Sequence, residues 1–203
     1  MPPAEDVQRG LFGAWRLMMG DRDGMRHMDI SVDGFWNSFF AVIVAFPALV
    51  IGWLAAADRI AELGLGAEGE MSRGGLLARL AVVEIGVWLL PLAAYMLVAR
   101  YVGLSDRIVH LVVACNWGEA LGRWLVLPVA LLLMVWRPER ETEDAVRLIV
   151  FLAVAVLNWR LTNAALGKGP AIASAVFAGL FIGSLLVLLA LEGMLGLLAF
   201  EQL

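Results

Sequence analysis

Glu119 and Arg123 are opposite charges four residues apart inside an apolar stretch. On a helix that spacing places both on one face, where they can pair directly. Glu84 is a third charge, set inside a second apolar stretch. Counted from the same end of their two helices, Glu84 and Arg123 differ in depth by roughly 7 Å, within reach of an Arg side chain. A Glu84–Arg123–Glu119 cluster is therefore expected, with Asn116 and Asn158 as further intramembrane polar groups. Ions in apolar surroundings either fix how helices pack or serve a proton, an ion or a polar substrate. The residue types leave both uses open.

Other chemistry finds little footing. The chain has no phosphate-cradling glycine loop, no GxSxG elbow and no HExxH. Ser174 and Ser184 have no His or Asp at a matching depth to activate them. His27 and His110 are far apart, and Cys115 is a lone cysteine in an apolar run, which reads as a small buried hydrophobe. His110, near one end of an apolar stretch, could titrate in a relay but suits an interfacial position better. No catalytic residue, cofactor or metal is expected, and the reading is of a protein that is not an enzyme.

The elements carrying these residues are apolar helices. Of the 203 residues 62% are hydrophobic, against about 45–50% for a soluble domain. Mean hydropathy is +0.84. A chain this short has too much surface to hide that excess in a core, so lipid is the solvent that accounts for it. The charged residues, 17% of the chain, gather between the apolar runs. A net charge of −4 excludes a basic nucleic-acid binder.

The expected fold is all-α, a polytopic transmembrane helical bundle of about five spans with an N-terminal amphipathic helix. Residues 1–34 form the amphipathic interfacial segment and a connector; residues 35–203 form the transmembrane domain. The spans fall at about 35–57, 76–98, 108–135, 145–163 and 171–191, each compatible with a hydrocarbon core about 30 Å thick. Pro47 and Pro91 should kink the first two spans. The third is interrupted by CNWGEALGRW (115–124), which is either one helix kinked near Gly118 or Pro128 or two half-helices; the absence of a second loop signal favours one helix. The fourth reaches across only if Arg160 snorkels to the interface.

In the N-terminal segment Val7, Leu11, Phe12, Trp15, Met18 and Met19 form a helical stripe opposite Arg9 and Arg16. That stripe lies in the membrane interface or packs on the protein's own helices, and the pattern suits both. Asp33 or Ser31 offers an N-cap to the first span. Residues 58–75, glycine-rich, read as a mobile loop, residues 137–144 as a water-facing loop, and residues 193–203 as a segment along the interface. Trp36, Trp53 and Trp136 stand at span ends, where aromatic belts form. Asn116–Trp117 and Asn158–Trp159 repeat a dipeptide on spans three and four, best read as helix packing.

On the last span Ala171, Ala175, Gly179 and Gly183 recur every four residues. Such a row is a helix-packing face that lets a backbone approach closely, whether within the chain, with a second copy or with a membrane-protein partner. Five spans put the termini on opposite sides. Eight basic residues fall on the N-terminal side and six on the other, which places the N-terminus in the cytoplasm. Fourteen of the fifteen basic residues are Arg, a bias expected of a GC-rich bacterium and hence of its inner membrane. The opening MPPAEDVQRG has no basic n-region with an adjoining apolar stretch, so no cleavable signal peptide is expected.

The amphipathic N-terminal segment, five spans, kinking prolines and short tail together resemble the Ypt-interacting-protein (Yip) family in layout. Arg16 to Phe39, ending in DGFWNSFFA, is the most distinctive stretch but matches no family pattern residue by residue. The resemblance implies a non-enzymatic organiser of membranes or partner proteins and carries over no site residue. A scaffold or accessory subunit acting through helix–helix contacts is the leading expectation. A small channel or transporter with a polar intramembrane site is the alternative, motivated by the interrupted third span and the buried charges.

Overall fold

The computed structural model describes residues 2–62 and 72–197, and these are helical with no strand among them. Five helices are long and apolar enough to cross a membrane, as a multi-pass membrane protein requires. Large apolar side chains such as Ile43, Leu90, Leu132, Ile149, Leu152 and Leu186 point outward. That outer surface suits hydrocarbon, where the backbone is satisfied within each helix.

Helix α1 (Ala4–Met18) leads into a 3-10 segment (Arg22–His27) and then α2 (Val32–Ser38) and α3 (Ala41–Glu62). α4 (Arg73–Val98), α5 (Ile108–Trp136), α6 (Arg140–Leu166) and α7 (Pro170–Met194) follow. α5 lies at the centre, touching α1, α2, α3 and α6, while α7 packs on α4 and α6. α4 and α5 touch little. The gap between them matters below.

Several expectations are corrected. The first span is two helices, α2 and α3, with a turn at Phe39–Phe40. Ser38 Oγ donates to the Phe35 carbonyl at 2.7 Å, a side-chain bond that competes with the helical ladder just before the turn. Ser31, rather than Asp33, caps α2, its Oγ accepting from Gly34 N at 3.1 Å. As the lack of a second loop signal suggested, the third span is one unbroken helix, so the interruption that motivated a transport site is absent. The fourth begins at Arg140, inside the stretch read as a loop. Glu141 and Glu143 in its first turn complement the helix dipole there. Of the expected loop 58–75, Asp58–Glu62 is helical and α4 starts at Arg73; residues 63–71 lie outside the described residues, as does the tail beyond Leu197. α7 starts at Pro170, the first-turn position that a missing N–H tolerates.

α1 packs on the protein's own helices, through only part of the expected stripe. Gly10, Gly13, Ala14, Leu17 and Met18 turn inward against α5, α6 and the 3-10 segment. A Cβ on Gly10 would stand 2.5 Å from the Trp117 ring, so only glycine permits that approach. Phe12, Trp15 and Met19, from the expected stripe, point outward. Arg160 does not reach solvent alone; it donates to the Met19 carbonyl and ties α6 to the end of α1. Of the three tryptophans at span ends, Trp36 and Trp136 are exposed, whereas Trp53 packs half-buried against the core.

The small-residue row on α7 is mostly not an internal packing face. Ala171, Ala175 and Gly179 are exposed, while Gly183 alone approaches a neighbour, its Cβ position 3.5 Å from Pro91 on α4. α7 turns Ala173 and Val176 inward instead.

Candidate functional site

Arg123 on α5 extends across the gap to α4. Its Nη2 lies 2.6 Å from Glu84 Oε1 and 3.4 Å from Glu119 Oε2. The helical spacing of Glu119 and Arg123 supplies the second contact, and matching depth supplies the first. The structure thus brings together the three expected ions, each side chain about one-third exposed (Arg123 34%, Glu84 29%, Glu119 34%). They are neither sealed in a core nor free in water.

Glu119 and Arg123 line a half-open cavity of about 290 Å³ between α4, α5, α6 and α7. It occupies the place where α4 and α5 stand apart. Trp88, Phe151, Phe177 and Phe181 supply aromatic walls, and Asn158, Thr162 and Ser184 supply polar atoms. A mostly apolar cavity with a few converging polar groups is the general form of a small-molecule site. Gly122 also lines it, with only Val154 within 4 Å of its Cβ position.

Asn116 and Asn158, expected near the ions, part company. Asn158 reaches the cavity wall. Asn116 is fully buried and belongs to a separate chain of bonds. Trp88 Nε1 donates to its Oδ1 at 3.1 Å, and its Nδ2 donates to Ser38 Oγ at 2.9 Å. With Ser38 bonded onward to Phe35, α4, α5 and α2 are joined by satisfied polar groups. Trp159, the partner of Asn158 in the repeated dipeptide, donates to Ser174 Oγ on α7 at 3.0 Å. Helix packing accounts for three of the four residues of the repeat, since Trp117 packs on Gly10.

Sequence reasoning missed Ser38, Trp88, Thr162 and the aromatic trio Phe151, Phe177 and Phe181. A signal existed for two of these, since Phe177 and Phe181 are four apart and share a helix face, as their stacked rings at 6.5 Å reflect. His110 is half-buried near the start of α5, away from the cavity wall. No group of three or more potential metal ligands occurs among the described residues.

Outside the spans, the loop after α1 is pinned by charge. Arg16 holds Asp21 through Nε at 2.8 Å and lies 2.8 Å from His27 Nε2, whose ring meets Phe12 edge-on. The hydrogen bond from Arg16 holds the Asp21 carboxyl below the usual carboxylate range, helped by the Asp23 amide. At opposite ends of the bundle Arg59 pairs with Glu143 at 2.6 Å, and Lys168 with Asp106 at 2.7 Å.

Compared with known proteins, the chain matches no family model, no curated protein and no solved structure. The site must be read from its own geometry.

Proposed function

We propose that this chain is a non-enzymatic, multi-pass membrane protein that binds a small amphipathic molecule between α4, α5, α6 and α7 and carries it across the bilayer. The observation supporting this is the cavity of about 290 Å³ with Glu119 and Arg123 in its wall. The sparse contact between α4 and α5 adds to it, because helices that pack loosely can part at low cost. The excess of basic residues on the N-terminal side and the bias to Arg support an N-terminus in the cytoplasm of a bacterium, with the chain in its inner membrane.

The test is uptake of small amphipathic solutes into liposomes carrying the purified chain. Saturable uptake is expected, and Gly122→Trp, which fills the cavity, should abolish it while the protein remains monodisperse. Uptake no faster than in protein-free liposomes, or uptake unchanged in Gly122→Trp, would overturn the proposal.

A second reading is the scaffold or accessory subunit, which would also agree with the Yip-like layout. Its support is the outward-facing row of Ala171, Ala175 and Gly179. Small residues on a lipid-facing surface permit close docking of another transmembrane helix. A purified wild type that is monomeric and retains no membrane partner would remove this reading.

A further inference from the structure

We infer that the cavity is a site for a lipophilic monocation, with Glu119 as its counter-ion; this rests on the small-molecule reading above and names the ligand class. The argument begins with a charge count. Two carboxylates, Glu84 and Glu119, share one guanidinium, and both do so through the same Nη2 of Arg123. The nearer, at 2.6 Å, is Glu84, which is not part of the cavity wall. Glu84 therefore neutralises Arg123 from behind. Glu119, at 3.4 Å, keeps the looser contact and faces the cavity. When both carboxylates are ionised, one negative charge is unmatched, and it is on the cavity side.

The remaining wall is suited to a cation. Trp88, Phe151, Phe177 and Phe181 surround the space, with the Phe151 and Phe181 rings 6.1 Å apart. Aromatic faces attract a cation that has given up its water. Asn158, Thr162 and Ser184 add oxygen atoms without adding charge. An anion would meet Glu119 and would find Arg123 already balanced. Nor does Arg123 offer a spare donor through its Nε, which is buried without a partner and has no accessible surface.

The charged groups acting on Glu119 are Arg123 on its own helix and Glu84 on α4, and α6 and α7 bring no ionisable side chain to the wall. An unmatched carboxylate in an apolar cavity is costly, and a bound monocation relieves that cost by pairing with it.

The probe is phenyltrimethylammonium, compared with the neutral isostere tert-butylbenzene and with benzenesulfonate, by calorimetric titration of the full chain in detergent. The expected result is saturable binding of the cation at least about tenfold tighter than of either analogue. Glu119→Gln should weaken cation binding at least about tenfold. Glu84→Gln should also weaken it, because Arg123 is then free to neutralise Glu119. Should the Glu119 variant fail to fold, the wild-type ranking of the three probes decides alone. Equal or tighter binding of a neutral or anionic analogue that Gly122→Trp still blocks would overturn the charge assignment and leave the small-molecule site standing. Binding of none of the three would overturn both.

Discussion

Trp88 on α4 donates its indole N–H to the Oδ1 of Asn116 on α5 at 3.1 Å, across a gap that the two helices otherwise leave largely open. The bond stands beside the cavity, since Trp88 is in its wall and Asn116 lies behind it. Ser38 completes the amide from α2. A satisfied amide here holds α4 at a fixed distance from α5 without filling the space between them.

Asn116→Ala should therefore destabilise the protein by about 1–2 kcal/mol, because the Trp88 N–H is left buried and unpaired. Ser38→Ala should also destabilise it, since the Asn116 Nδ2 donor is then left buried without a partner. Thermal unfolding in detergent measures both. Tolerance of both substitutions would mean that the amide does not hold the helices.

Breaking the ion cluster should depend on how many members are removed. Arg123→Met leaves Glu84 and Glu119 without their shared cation and should cost about 2 kcal/mol, less than for a sealed pair because each side chain keeps about one-third exposure. Replacing Glu84, Glu119 and Arg123 together with Leu, Leu and Met should restore most of that stability while abolishing ligand binding. The comparison of melting temperatures across the single and triple variants checks it.

Glycine positions on α1 and α7 should respond in opposite ways. Gly10→Leu cannot fit beside Trp117 and should lift α1 off the bundle, exposing the Arg9 and Arg16 region to limited proteolysis. A Cβ at Gly179 meets nothing within 4 Å, so Gly179→Leu should leave the melting temperature of the purified chain unchanged. If the scaffold reading holds, the same Gly179 variant loses its membrane partner on co-purification.

Acid should loosen the loop after α1. Asp21 is held below its ordinary range by Arg16, so its carboxylate favours the folded form. That contribution is complete above the unfolded value near about 3.9 and is lost as pH falls through the lower folded value. Proteolysis between α1 and α2 should accelerate below about pH 4 in the wild type. Asp21→Asn should be cleaved faster already at neutral pH and show less change with acid.

Much of the architecture was legible in the sequence because it depends on local quantities. Span number follows from hydropathy and length, and the Glu119–Arg123 contact follows from helical spacing alone. Even Glu84–Arg123 was within reach, since depth along a helix is a count of residues. What the tertiary structure decided is the rotation of each helix about its axis: that α1 turns Gly10 and Ala14 inward rather than Phe12 and Trp15, that Asn116 meets Trp88 and Ser38, and that Ala175 and Gly179 face outward. In a soluble protein the apolar face announces that rotation. Here lipid and protein interior are equally apolar, so hydropathy is silent about it, and close packing and hydrogen bonds between distant residues make the choice.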